Sequence, residues 1–489
     1  MAAKRADLTP DAVAFHDTGT GQDWSFARIN TAANGVAAGL KSQALQDGAR
    51  VGILCQNRAE FFVTLFACQK TGLILCPLNW RSPATELADV IETVGIDLLL
   101  HDAGYRETAQ RLAQSCGVTC RTLEEDLARW IDTGGPDLSA AIDATRPWYL
   151  LFTSGTTGLP KAVIQTARMA WANAVNIGHA VDLTSTDRSL CFLPLFHTAG
   201  INLYTLPLFL AGGHSTILPN FAETGIHRLL ASGNLTQFFG VPAIYQAFSL
   251  MPDIDAIDWS NIRCGCGGAP LAEHLIRFFA DKGAYVLNGM GMTESGPTVF
   301  LMDPAHAVDK IGSVGKPQTL AEVRLEGVAD GMPGEGELYL RGPGITPGYF
   351  GHPQATAKVI AEDGWLATGD VARRDADGYY YIVDRIKDMF ISGGENVYPA
   401  EVERALHTHP SILECAVVGV PDDRWGEVGA AFIMLHPAAT LDPDELRTWS
   451  RARLAAYKVP AHLRLVKDFP RTAAGKIRKP DLIAQFQDL

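Results

Sequence analysis

From Arg50 to about Glu294, short apolar runs alternate with amphipathic stretches of helical length. The runs Val51–Cys55, Leu73–Pro77, Leu98–His101, Trp148–Phe152, Leu190–Leu193, Thr216–Leu218, Thr236–Phe239 and Tyr285–Leu287 predict strands. Between them, stretches such as Arg58–Gln69 and Leu271–Lys282 place apolar residues three and four apart, the spacing of a helix with one buried face. The strand runs are continuously apolar instead of alternating, so both faces of the sheet are covered, as in a parallel sheet flanked by helices. An all-α protein is excluded, because too many runs are β-prone and bounded by Gly or Pro.

The texture changes after Gly312. Val323–Leu325, Glu337–Arg341 and Tyr379–Val383 alternate or nearly so, and Asp-Gly pairs at 330–331, 363–364 and 377–378 are turn signals. These predict a small antiparallel, barrel-like subdomain over about 312–384. A charged bridge follows, Asp384-Arg-Ile-Lys-Asp388. Beyond it, Pro399 opens a helix through Leu406, Cys415–Val420 and Ala431–Leu435 read as strands, and Pro443–Tyr457 as a helix. The expected class is α/β: residues 1–384 as a large domain of helix-covered, mostly parallel sheets, 385–388 as a hinge, and 389–489 as a small mobile α+β domain. No internal repeat or low-complexity tract competes with this reading.

Composition narrows the function. Forty-one basic side chains against 54 acidic ones leave −13, which argues against a nucleic-acid binder. The nine cysteines contain no CxxC pair and several sit in apolar runs, so they read as buried thiols in a reducing compartment. Met1–Asp7 is polar with no apolar segment after it, and the apolar stretch Ile201–Leu210 falls short of the ~20 residues that span a bilayer. A cytoplasmic protein without an integral membrane segment is expected.

The densest chemical signal is Leu151-Phe-Thr-Ser-Gly-Thr-Thr-Gly-Leu-Pro-Lys-Ala162, placed after a predicted strand. Glycines turn backbone N–H groups toward an anion, the hydroxyls of Thr153, Ser154, Thr156 and Thr157 add donors, and Lys161 supplies charge: together, a polyphosphate cradle. It is not a Walker A loop, which from Gly155 would need Gly at 160 and Ser or Thr at 162, where the chain has Pro160 and Ala162.

This segment resembles the phosphate loop of the adenylate-forming superfamily, which includes acyl- and aryl-CoA synthetases. The resemblance continues in order through Met290–Ser295, Thr368-Gly-Asp370, Asp384–Lys387, Ser392-Gly-Gly-Glu-Asn396 and Arg471-Thr-Ala-Ala-Gly-Lys476. In texture it is closest to bacterial fatty-acyl and feruloyl-type CoA ligases. Two positions depart from the family pattern. Met290 stands where an aromatic residue is usual, so adenine would rest on a thioether. Ala162 stands where glycine usually follows the loop lysine.

The resemblance implies an ATP-, Mg²⁺- and coenzyme A-dependent acid–CoA ligase that makes acyl-CoA, AMP and pyrophosphate. It implies Lys476 as the catalytic lysine, and Glu294 with Thr153 as catalytic and metal-binding groups. Thr153, Ser154, Gly155, Thr156, Thr157, Gly158 and Lys161 would cradle the phosphates. Gly268, Ala269 and Pro270 would line the adenine pocket with Met290; Asn288, Gly289, Gly291, Thr293 and Ile382 would complete the cofactor site; and Asp370 with Arg385 would hold the ribose. Lys387 would mark the hinge, and Ser392, Gly393, Gly394 and Asn396 the thiol-transfer loop. Acceptors other than CoA, such as a carrier-protein thiol, and a catalytically dead acyl-nucleotide binder are the alternatives. Pairing as a homodimer is left open.

The segments matching the family's acyl pocket are Phe192–Gly200, with His197, and Phe238–Tyr245, with Phe238, Phe239, Gly240, Val241 and Tyr245. Neither contains Lys or Arg, so a dicarboxylate is disfavoured. Each buried methylene contributes ~0.8 kcal/mol, so an apolar pocket prefers bulk over acetate. A medium-to-long fatty acid or an aryl-propenoic acid of the ferulate type is expected.

Overall fold

The structure is a computed structural model describing residues 1–138, 142–153, 160–472 and 475–487. Its largest sheet has six strands in the order Thr119–Thr122, Ile96–His101, Arg50–Leu54, Ile74–Pro77, Pro147–Thr153 and Lys161–Thr166. The first five run parallel and the last is antiparallel. Strand pleating sends Leu98 and Leu100 into one core, with Phe61, Phe62, Leu65 and Phe66 of helix Ala59–Thr71. It sends Leu99 into the opposite core, with Leu87, Val90, Ile91 and Val94 of helix Ala84–Val94. Both faces are therefore buried, which is why these strands read as unbroken apolar runs.

A second sheet joins Gln22–Ser25, Val13–Asp17, His214–Ile217 and Arg188–Cys191, parallel apart from its first hairpin. A third runs Gln237–Gly240, Arg263–Cys266 and Val286–Gly291 in parallel, then adds Thr298–Leu301 and Lys316–Pro317 antiparallel. Next comes an antiparallel meander of Glu322–Leu325, Gly334–Arg341, Leu366–Arg374 and Tyr380–Arg385. The C-terminal domain has its own sheet, built on the long hairpin Ile412–Asp422 and Gly426–Leu435 and packed by helix Pro399–His407.

Two expectations need adjusting. Strand Val13–Asp17 lies upstream of Arg50, where the alternation first shows in the sequence, and joins a parallel sheet through His214–Ile217. The helix expected over Pro443–Tyr457 ends at Arg451, and a 3-10 turn occupies Ala456–Lys458. Pro460 disfavours helical geometry at Val459, and Leu454 turns in to pack against the C-terminal core. Among the described residues no helix is long and apolar enough to cross a membrane, and all nine cysteines are free.

Candidate active site

Three structural units bring the expected residues to one cleft. The first is the edge hairpin of the large sheet. Residues 154–159 lie outside the described residues, so Ser154, Gly155, Thr156, Thr157 and Gly158 cannot be placed. The two ends of their loop can: Thr153 pairs with Lys161 across the hairpin, and the Thr153 hydroxyl donates to the Lys161 carbonyl at 3.4 Å. Segment 346–350 zips onto the outer side of this hairpin. Ile164 N–H donates to the Gly348 carbonyl at 3.0 Å, and Phe350 N–H to the Ala162 carbonyl at 2.8 Å.

That zipper presents Tyr349, a residue the sequence reading missed. Its hydroxyl donates to Glu294 Oε1 at 2.9 Å, and the Lys161 ammonium lies 5.0 Å from its ring centroid. Glu294 is buried in the 3-10 turn Thr293–Ser295. The turn is pinned by its backbone: the Glu294 carbonyl accepts from Thr346 N–H at 2.8 Å, and the Thr293 carbonyl from Gln165 Nε2 at 2.9 Å. Burial and the neighbouring carboxylate push the Tyr349 phenol up, so it stays a donor at neutral pH. Nothing in the linear sequence connects Tyr349 with a glutamate 55 positions earlier.

The second unit is the antiparallel meander. Asp370 and Arg385 are register partners on neighbouring strands, and Arg385 Nε lies 2.8 Å from Asp370 Oδ1. Asp370 is only 4% exposed, and its N–H donates to the Thr368 hydroxyl at 3.0 Å. Burial pushes its carboxyl up, while Arg385 and Lys476 pull it back. Ile382, two strand pairs from Arg385, packs with Met290 against the cluster around Phe300.

The base-binding candidates lie on strand Val286–Gly291 and just beyond Arg263–Cys266. Gly289, Met290 and Gly291 are half-buried, and Met290 pairs with Phe300. Asn288 is buried: its Nδ2 donates to the Ser313 carbonyl at 3.4 Å, while its Oδ1 has no partner within the protein. Gly268, Ala269 and Pro270 are exposed.

The third unit is the C-terminal loop bearing Lys476. Thr472 ties it, donating its N–H to the Lys476 carbonyl at 2.7 Å and accepting the Gly475 N–H through its own carbonyl at 2.8 Å. Arg471 ties it further, donating to the Gly475 carbonyl at 3.1 Å and pairing with Glu414. The Lys476 Cε stands 3.8 Å from the position a Cβ at Gly268 would take, so this loop reaches across into the large domain's cleft. Val241 lies 3.9 Å from the corresponding positions at both Gly268 and Gly475. The Lys476 side chain keeps solvent contact yet is crowded by protein. That crowding pushes its ammonium down, Arg385 and Lys387 push the same way, and Asp370 and Glu294 oppose them.

The acyl-pocket candidates divide. Phe238 and Tyr245 are sealed in the core with Phe248, Trp259 and Phe279, and the Tyr245 hydroxyl already donates to the Gly265 carbonyl at 2.9 Å. Gly240 is buried beside them, whereas Phe239, Val241 and His197 are half-buried. His197 senses Lys476 and Arg81; burial first, then these two cations, push its imidazole down to about 4.

One group stands apart. Gly393 and Gly394 form the turn of hairpin Phe390–Ser392 and Glu395–Val397, with Ser392 and Asn396 on its two strands. Gly393 and Gly394 both have positive φ, +61° and +87°, and a Cβ at Gly393 would press on the Trp425 ring. Among the described residues no hydrogen bond or ion pair joins this turn to Asp370, Glu294 or Lys476. Lys387 is exposed between the last meander strand and this hairpin. Several C-terminal basic residues are paired locally: Lys458 with Glu401, Lys479 with Glu403, and Arg478 with Asp481.

The cleft thus brings together the Thr153–Lys161 hairpin end, the Glu294–Tyr349 pair, the buried Asp370 beside Arg385, and Lys476 from the C-terminal domain. The residues fit Mg²⁺: Glu294 is a buried carboxylate in the cleft, an oxygen donor of the kind this hard cation takes. One or two protein groups plus substrate phosphates are the usual Mg²⁺ set. Residues 2–350 match the AMP-binding enzyme family and 401–476 its C-terminal domain.

The feruloyl-CoA synthase of an Amycolatopsis species is 39% identical, over 99% of this chain and 98% of that protein. A long-chain-fatty-acid–CoA ligase of Mycobacterium tuberculosis is 32% identical over 99% and 98%. Among solved structures, the o-succinylbenzoate CoA synthetase of Bacillus subtilis with its acyl-adenylate is 30% identical, covers 100% of this chain and 98% of that one, and superposes with a TM-score of 0.86. The chain belongs to the AMP-binding enzymes, among the AMP-forming acyl-CoA synthetases that use ATP, Mg²⁺ and coenzyme A.

Proposed function

We propose that the protein is an aryl-propenoate–CoA ligase that works in two half-reactions on one cleft. The observation that carries the two-step reading is Lys476, which crosses from the C-terminal domain into the cleft that holds Asp370, Arg385 and Glu294.

In the first half-reaction a carboxylate oxygen attacks the α-phosphorus of ATP, giving acyl-AMP and pyrophosphate. Both reactants are anionic, so a cation between them lowers the barrier. Lys476 is that cation, donating to the carboxylate and the α-phosphate together. Asp370 accepts the ribose hydroxyls and Arg385 orients it, while Lys161 and the loop after Thr153 hold the phosphates. Glu294 and the Thr153 hydroxyl would hold Mg²⁺, which neutralises charge on the departing pyrophosphate. Asn288 Oδ1 is an acceptor available to the adenine amino group.

In the second half-reaction the C-terminal domain turns about Lys387. The Ser392–Asn396 turn then guides the CoA thiol to the acyl carbonyl, and AMP leaves. The attachment of that turn's hairpin to the C-terminal sheet, with Ser392 opposite Gly426, supports its moving with that domain. The nine free thiols support a cytoplasmic location.

The aryl-propenoate assignment is supported by the 39% identity to a feruloyl-CoA synthase and by the half-buried aromatic and apolar set Phe239, Val241 and His197. A coupled AMP-release assay tests it over ferulate-type acids, C6–C16 fatty acids, acetate and malonate, each with and without CoA. Ferulate-type acids should be fastest, and AMP release should need both acid and CoA. Activity climbing with alkyl chain length reassigns the pocket to fatty acids, and best activity on acetate or malonate overturns both.

A further inference from the structure

Tyr349 touches two of the groups just assigned to ATP and metal, and lies on neither of their elements. It sits on segment 346–350, which is locked by three backbone bonds: to Ile164, to Ala162 and from Thr346 N–H to the Glu294 carbonyl. The Tyr349 N–H also donates to the Thr356 hydroxyl at 2.9 Å. Gly348 lets the segment lie this close: its φ is +136°, and a Cβ there would collide with Thr356. The ring therefore has little freedom. One of its faces receives the Lys161 ammonium at 5.0 Å, and its hydroxyl engages one oxygen of Glu294 at 2.9 Å.

We propose that Tyr349 is a positioning residue of the adenylation half-reaction, fixing the spacing between the phosphate-loop lysine and the metal-binding carboxylate before MgATP arrives. Bound by one oxygen, the Glu294 carboxylate cannot turn toward Lys161 and collapse into an ion pair with it; its other oxygen remains for the cation. The ring in turn holds the Lys161 ammonium by its quadrupole without neutralising it, so the full charge is kept for phosphate. A carboxylate in the ring's place would cancel that charge, and an aliphatic residue would leave it unguided. The proposal rests on the reading of Glu294 as the Mg²⁺ ligand.

The test is equilibrium binding of ATP by calorimetry across a Mg²⁺ titration, on the full chain, with thermal melts as a folding control. Tyr349→Phe keeps the ring and removes the hydroxyl. It should raise the Mg²⁺ needed for half-maximal ATP affinity about ten- to hundredfold, the scale of a lost hydrogen bond to a charged group, and change metal-free ATP binding less than about twofold. Tyr349→Leu removes both contacts and should also weaken metal-free ATP binding, by about threefold or more. The KM for the acid should not move in either variant, a split that general loosening of the fold would not produce.

Glu294→Gln separates the two readings. Tyr349→Phe added to Glu294→Gln should shift the Mg²⁺ requirement no further. If Glu294→Gln shifts the metal requirement and Tyr349→Phe leaves it at the wild-type value, the positioning role falls and the metal assignment stands. If neither variant shifts it, the metal assignment falls and the positioning proposal with it.

Discussion

The strand-borne side of the cleft and its loop-borne side are built in opposite ways. Asp370 and Arg385 face each other by strand register, and Glu294 and Lys161 are tied through Tyr349. Every polar partner there is anchored to a sheet. Lys476 and the Gly393–Gly394 turn sit on glycine-flanked loops of a separate domain, solvent-accessible and held mainly by bonds within that domain. On the proposed reading, the rigid side holds the nucleotide and its metal, and the groups that trade places between the two half-reactions sit on the side that moves. Preorganised charge is most effective where it does not have to be rebuilt each turnover.

The sharpest way to break that contrast is Lys476→Ala. Losing a cation between two anions should cost ~3–5 kcal/mol in the transition state, a hundreds- to thousands-fold fall in acid-dependent pyrophosphate exchange. Conversion of supplied acyl-AMP to acyl-CoA should continue near the wild-type rate, and an equal loss in both assays would remove the assigned role. Asp370→Asn strikes the rigid side instead. A lost charge-assisted hydrogen bond is worth ~1.5–3 kcal/mol, so ATP affinity should weaken about ten- to hundredfold, measured by calorimetry, and both half-reactions should suffer because both need the bound nucleotide.

Lys387→Pro probes motion alone. Proline fixes the backbone φ at the hinge, so exchange should survive while full turnover falls by about tenfold or more. Normal steady-state turnover would move the hinge elsewhere. Gly394→Val is milder. Its φ of +87° strains any L side chain by ~1–2 kcal/mol, which should slow thioester formation roughly five- to thirtyfold and leave exchange within about twofold.

The smallest effect is a pH dependence. His197 is pushed down to about 4 from 6.5, so between those values the unfolded chain binds more protons than the folded one. Stability should therefore fall as pH drops through 6.5 toward 4, and His197→Gln should flatten that part of a melting-temperature profile. Exchange activity between pH 7 and 8 should show no inflection from His197, which is neutral throughout.

Much of this was legible in the chain itself. Sheet strands buried on both faces must be continuously apolar, so Val51–Cys55 and Leu98–His101 announced a covered parallel sheet. Gly and hydroxyl residues around Lys161, and the ordered motifs ending at Lys476, announced phosphate chemistry, because few other side chains can cradle an anion. Short, partly polar Val13–Asp17 gave no such signal; it is a strand because Gln22–Ser25 and His214–Ile217 pair with it on either side.

What the tertiary structure decided was proximity. Phe238 and Tyr245 read like pocket walls, yet packing with Trp259 and Phe279 seals them in a core, while Phe239, between Phe238 and Gly240 on the same strand, stays half-exposed on the other face. Tyr349 reads like an ordinary turn residue until the 346–350 segment docks on strand Lys161–Thr166 and carries its hydroxyl to Glu294. Local pattern encodes which groups can bind an anion or bury a face. Which of them share a cleft depends on long-range strand pairing and helix packing, and a linear reading has no access to those distances.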